Sequence, residues 1–208
     1  MNITQEYTLK EKEELIAQAL KEAMTYSEYL QLFEQHVLNS SSTYPIASES
    51  MAQYTKLNWA RAKRVGKTLQ IPDQIERDFS QYEADHTWLV ITESWCGDAA
   101  QSLPIMQRLL ELSNGAQIKI VLRDQHPDLM DAFLFDGTRS IPVLIVFDND
   151  NGKIIGSWGP RPSVVNEQVR QYKKQHGELT AEFKKDLQRW YNKDKGLTTM
   201  RDLQNLIA

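Results

Sequence analysis

The chain has 208 residues, 41% hydrophobic and 25% charged, with a formal net charge of -4 and one cysteine. That length suits one enlarged domain, or one domain with a helical attachment, and the apolar content is enough for a core. The acidic balance argues against a nucleic-acid partner, no stretch approaches the roughly 18 apolar residues that cross a bilayer, and a lone cysteine makes no internal disulfide.

Met1-Asn2-Ile3-Thr4-Gln5-Glu6 lacks the basic and apolar regions of a secretion signal, so the expected location is cytoplasmic. Up to about residue 85 the chain reads as helical. Leu15, Ala19 and Ala23, then Tyr26, Leu30, Phe33 and Val37, keep an apolar stripe at helical spacing. Asn39-Ser40-Ser41-Ser42-Thr43-Tyr44-Pro45 has loop composition. A second helical stretch follows with Met51, Tyr54, Leu57 and Val65 on one side, and Gly66 interrupts or ends it. The basic cluster Arg61, Lys63, Arg64 and Lys67 on this stretch reads as a solvated helix face. Ile71-Pro72-Asp73 turns into a short helix carrying Ile75 and Phe79.

Near residue 86 the period changes from helical to strand. Thr87-Trp88-Leu89-Val90-Ile91-Thr92 is a short apolar, β-branched run, read as a buried strand. Leu103, Ile105, Met106, Leu109, Leu110 and Leu112 then recur at helical spacing, with Asn114-Gly115 as a C-terminal stop. Gln117–Leu122 is a second strand, Asp124-Gln125-His126-Pro127 leads into a short helix with Leu129, Met130 and Phe133, and Pro142–Phe147 is a third strand. Asp150-Asn151-Gly152-Lys153 signals a hairpin returning along Lys153–Trp158. Pro160 and Pro162 open a helix with Val164, Val165 and Val169. This order implies a mixed sheet covered by helices on both faces. After Gly177 the tail is helical again: Phe183, Leu187, Trp190 and Tyr191 share a face, and Thr199 with Asp202 is the expected cap of a last helix.

Between the first strand and its helix lies Glu93-Ser94-Trp95-Cys96-Gly97-Asp98-Ala99-Ala100-Gln101. A cysteine at a helix start faces unpaired backbone N–H groups and the positive end of the helix dipole. Both favour the thiolate, the reactive form.

Trp95-Cys96-Gly97 after an apolar strand, with Pro104 further along the helix, resembles the thioredoxin active site. Gly137-Thr138-Arg139-Ser140-Ile141-Pro142 before an apolar strand resembles the thioredoxin segment that carries the cis-proline. Asp124–Pro127, the Asn151-Gly152 turn and Gly159 fall in matching order. The resemblance covers roughly residues 87 to 172. The whole chain, including Trp158-Gly159-Pro160-Arg161-Pro162, looks like a bacterial branch of thioredoxin-like proteins with helical extensions. The expected organisation is a helical extension over residues 1–85, a thioredoxin-like α/β domain over 86–175 and a second helical extension over 176–208.

The resemblance implies roles for particular residues. Cys96 would be the nucleophile and Pro142 would frame an extended peptide by backbone pairing, which makes a protein or peptide the expected substrate. Trp95 and Gly97 would complete the motif, with Trp95 either shielding the thiol or only packing. Where a dithiol thioredoxin has its second cysteine this chain has Ala99, so release of a mixed disulfide calls on an outside, low-molecular-weight thiol. Asp98 replaces the usual proline and should oppose ionisation of Cys96. The family's buried acid falls at Val90, leaving Glu93 or Asp98 as substitute proton acceptors or as plain solvated carboxylates. Arg139 can hold a carboxylate near the thiol, steady Cys96 as thiolate, or form a surface ion pair.

His36, His86, His126 and His176 are scattered, so no metal or other cofactor is expected. Neither a Cys–His hydrolase pair nor a peroxide-reducing loop matches the local sequence. Two readings stand: a monothiol thiol-disulfide oxidoreductase, and a redox-inactive module that kept the fold for binding. The sequence expects no nucleic acid and no membrane as partner, and does not set the oligomeric state.

Overall fold

The structure is a computed structural model that describes residues 6–207; Met1–Gln5, read above for a leader, and Ala208 lie outside the described residues. The chain runs α1 (Leu9–Leu20), β1 (Met24–Thr25), α2 (Tyr26–Leu38), α3 (Glu49–Thr68), α4 (Asp73–Ser80), β2 (His86–Thr92), α5 (Gly97–Leu110), β3 (Gln117–Leu122), a 3-10 turn (Arg123–Gln125), α6 (Pro127–Ala132), β4 (Val143–Asp148), β5 (Lys153–Trp158), α7 (Ser163–His176), α8 (Ala181–Asp194) and α9 (Leu197–Ile207). Among the described residues no helix is long and apolar enough to cross a membrane.

The strands form one mixed sheet in the order β1-β3-β2-β4-β5. β2 runs parallel to β3, with Val90 opposite Ile120, and antiparallel to β4, with Ile91 opposite Val143. β2 and β4 are buried almost throughout, as strands covered on both faces must be. Their runs of Val, Ile, Leu and Trp are what made them visible in the sequence. β5 alternates between exposed and half-buried residues, the pattern of an edge strand with one face in water. β1 escaped the sequence reading because two residues carry no period.

Local chemistry sets the helix starts. Thr8 with Glu11 and Thr25 with Glu28 form reciprocal capping boxes at α1 and α2. Ser48 and Thr180 cap α3 and α8 through their hydroxyls. The helix expected to stop at Asn114-Gly115 ends earlier, at Leu110. Gly115 instead has a positive φ of 94° and lies against the Ala84 backbone, where a Cβ would press into a carbonyl. Thr199 is also not a cap. It is buried inside α9, whose first turn is held by Asp194 accepting from the Thr198 amide at 3.1 Å. Asp202 turns back to the Trp158 indole N–H and the Ser163 amide.

Most buried side chains belong to one cluster around the sheet and α5, with Trp88, Leu89, Met106, Leu144 and Ile145 fully enclosed. Each such side chain contributes roughly 1.5–3 kcal/mol by leaving water. A second, smaller cluster joins α7 to α8 through Val165, Val169, Leu187 and Tyr191. Val164, expected on the packed face of α7, is half exposed.

The face that α3 buries differs from the expected one. Tyr54 and Leu57 are about half exposed, while Thr55, Asn58 and Ala62 are buried. The reason is what α3 packs on. It lies over α5 and the backbone leading into it, where small and hydrogen-bonding side chains fit and large apolar ones do not. Gly66 sits within α3 without interrupting it.

Candidate functional site

Cys96 occupies the N-cap of α5, in extended backbone between the end of β2 and the first helical turn. Its Sγ accepts from the Ala99 amide at 3.4 Å and donates to the Ile141 carbonyl at 3.3 Å. The Ile141–Pro142 bond is cis, and Pro142 immediately precedes β4. Sheet register brings the two segments together: β2 ends beside the start of β4, so the loops that follow and precede them meet. Gly159 lies on the Pro142 carbonyl with a φ of 131°, and a Cβ there would overlap that oxygen. Cys96 and Pro142 are therefore neighbours across the sheet end.

The approach to Cys96 is held from several directions. Glu93 is 1% exposed; its carboxylate accepts from the Thr43 hydroxyl and from the Asp124 amide at 3.0 Å. The Ser94 amide donates to the Thr43 hydroxyl at 3.0 Å, and the Ser94 hydroxyl meets that of Thr55 at 3.0 Å. Asn58 donates to the Ser94 carbonyl and accepts from Arg61 at 2.9 Å. Of the basic cluster, Arg61 thus turns inward toward Gly97, while Lys63 lies over the Trp59 ring. Trp95 is packed edge-on by Tyr44 and covered by the Arg123 guanidinium 4.8 Å from the ring centre.

On the far side stands a buried ion pair. Asp98 is 8% exposed and accepts from the Arg161 guanidinium at 2.8 Å and from the Tyr191 hydroxyl at 3.0 Å. Gln101 donates to Gln188 at 3.0 Å, and the Gln188 amide rests beside Gly97. Arg139, a candidate from sequence, is engaged elsewhere: it forms a two-pronged pair with Asp131, both contacts 2.6 Å, and is about half exposed. The guanidinium that pairs with a carboxylate beside the thiol is that of Arg161, on Asp98. Its neighbourhood was visible in the sequence, in Trp158-Gly159-Pro160-Arg161-Pro162, but its pairing with Asp98 was not. Gln188, Asn58 and Thr43 had no local signal, because each arrives from a distant helix or loop, and Tyr191 showed only as part of a shared helix face, with no sign of its contact with Asp98.

The electrostatics overturn the expectation of a resting thiolate. Burial, then the Asp98 charge, pushes the Cys96 thiol up to about 12, against the Ala99 and Asp98 amides and Arg161, which pull it down. A helix end contributes 0.3 to about 2 kcal/mol to an anion, whereas taking an ion out of water costs several kcal/mol. Burial wins, and Cys96 is a neutral thiol. Burial also pushes Glu93 up to about 7, against its hydrogen bonds from Thr43 and Asp124. Asp98 is likewise raised by burial, against Arg161 and Tyr191. Neither carboxylate is a hydrogen-bond partner of Sγ, since their oxygens are taken by these other groups. Val90, at the place of the family's buried acid, is fully enclosed in β2. Among the described residues no three His, Cys, Asp or Glu side chains are grouped as a metal would need.

A protein-family model described as thioredoxin matches residues 45–174, a span that takes in α3 and α4 as well as the sheet from β2 onward. No curated protein matches the chain. Two solved structures share its fold. One is a protein of unknown function from Pseudomonas aeruginosa, 18% identical, with a TM-score of 0.57 over 75% of this chain and 89% of that one. The other is an HIV epitope-scaffold of the 4E10 type, 16% identical, with a TM-score of 0.56 over 88% of this chain and 98% of that one.

Proposed function

This chain belongs to the thioredoxin family, and from that premise we propose that it acts as a monothiol thiol-disulfide oxidoreductase through Cys96. The observation that carries the reading is the place of Sγ, at the N-cap of α5 and 3.3 Å from the carbonyl that precedes Pro142. In the proposed reaction the Cys96 thiolate attacks a disulfide, or a thiol adduct, on a protein or peptide. A new S–S bond forms at Sγ while the old one breaks, and the departing sulfur leaves as thiolate and takes up a proton. With one cysteine in the chain, the second step belongs to an outside low-molecular-weight thiol. It attacks the outer sulfur of the adduct, frees Cys96 and leaves as a disulfide with the outer group. Across the two steps one substrate sulfur is released as thiol and the outside thiol is oxidised into the disulfide that leaves, an exchange that suits a reducing compartment such as the cytoplasm.

A second reading, a binding module without redox chemistry, is favoured by the burial of Cys96 and its protonation up to about pH 12. Incubation with a small disulfide, followed by intact mass before and after added thiol, separates the two. Exchange predicts one adduct, confined to Cys96, absent in Cys96→Ser and removed by the outside thiol. A protein that forms no adduct, and whose partner binding survives Cys96→Ser, is a binding module.

A further inference from the structure

Helix α8 reaches the two residues that follow the thiol, Gly97 and Asp98, and is attached by different contacts from the rest of the molecule. Its apolar side chains, Leu187 and Tyr191, pack on Val165 and Val169 of α7 in a cluster separate from the main core. Toward α5 it offers polar groups. The Tyr191 hydroxyl donates to Asp98, Gln188 accepts from Gln101, and the Gln188 amide lies on Gly97, the residue next to the thiol. Backbone turns with positive φ flank the helix, at Gly177 (79°) on one side and at Lys195 (54°) and Gly196 (82°) on the other. Burial first, then the charge of Asp98 and, more weakly, that of Cys96 raise the Tyr191 hydroxyl well above its ordinary value.

We propose that α8 is a cover over Cys96, latched by Tyr191 to Asp98 and by Gln188 to Gln101, and that exchange requires it to lift. This inference rests on the thiol-exchange reading and names how that site is regulated. Opening breaks a small apolar cluster, the two latch hydrogen bonds and the hold of Asp194 on the first turn of α9, while the main core and the sheet stay packed, so its free energy lies well below that of unfolding. The Asp98–Arg161 pair can remain in place, since Arg161 precedes α7. Lifting α8 also removes burial, the first cause of the raised thiol pKa, so one motion exposes Sγ and eases its ionisation. A disulfide-bearing partner that binds only the open form draws the equilibrium toward it.

The test is the rate at which iodoacetamide alkylates Cys96 at mildly alkaline pH, in the parent chain and in the Gln188→Ala, Tyr191→Phe and Ile16→Ala variants, each across low urea concentrations. Ile16 lies in α1, outside the α7–α8 cluster, and reports global destabilisation. Loss of either latch should raise the rate roughly 2- to 12-fold, with a shallow urea dependence, while Ile16→Ala changes it only along the steep slope of global unfolding. Unchanged rates in both latch variants, or acceleration only along the steep slope, overturn the cover. Latch variants that alkylate faster yet form no mixed disulfide keep the cover and sink the exchange reading. A parent chain that exchanges readily while the latch variants behave like it does the reverse.

Discussion

At the scale of single residues, Glu93 is the group whose environment departs furthest from what its position suggested. In sequence it is a loop carboxylate close to a cysteine; in the fold it is enclosed, with both oxygens occupied. Burial raises its pKa from 4.5 to about 7, so the folded chain holds this proton over a range where the unfolded chain has released it. The stability it contributes is complete below the unfolded value and is lost as pH rises through about 7. Over that window the loss is on the order of 3 kcal/mol. Glu93→Gln, which cannot titrate, should therefore flatten the fall in stability between mildly acidic and mildly alkaline pH. Urea midpoints of both proteins at the two ends of the window check this; parallel pH profiles would show that Glu93 does not carry the linkage.

Asp98 teaches the same lesson differently. Its charge does disfavour the Cys96 thiolate, as expected from adjacency. What adjacency could not reveal is its pairing with Arg161 and Tyr191, which makes it a tie between α5 and the later helices. Arg139 shows the converse: proximity to Pro142 in sequence was overridden by Asp131, close in space.

At the scale of elements, the junction between β4, β5 and α7 decides where Pro142 sits. Gly159 follows β5 and lies on the Pro142 carbonyl at a φ of 131°. Gly159→Ala would meet both the steric overlap and the unfavourable φ, so a loss on the order of 3 kcal/mol is expected. Denaturant unfolding measures that loss, and the alkylation rate of Cys96 should rise along with it. A variant as stable as the parent would show that the turn moves away from Pro142 at little cost.

The strands were the most legible elements. Gln117–Leu122 and Lys153–Trp158 have the extents their residues suggested, and the first and third strands differ from expectation by terminal residues alone. Continuous β-branched and apolar runs leave little freedom when a strand is covered on both faces. The buried face of α3 was not legible, because Thr55, Asn58 and Ala62 are buried for their size and hydrogen bonding, which apolar periodicity does not register.

At the scale of the molecule, two apolar clusters of unequal size imply unequal resistance to opening. Amides of β2 and β4, enclosed on both sides, should exchange with solvent only by global unfolding, and those of α8 by a local opening of lower free energy. Native-state hydrogen exchange across low denaturant reads this directly. Protection in α8 equal to that in β2 would mean that the molecule opens as a single unit.

A proline-led strand facing the sulfur was what the resemblance implied; the sequence by itself determined that one sulfur stands between a buried strand and a helix and that no second thiol accompanies it. These follow from local periodicity and from counting. Only the tertiary structure decided the state of that sulfur. Burial, the Asp98–Arg161 pair and the Tyr191 contact depend on segments far apart in the chain converging on one helix end. The desolvation they impose outweighs the helix-end stabilisation that local sequence supplies.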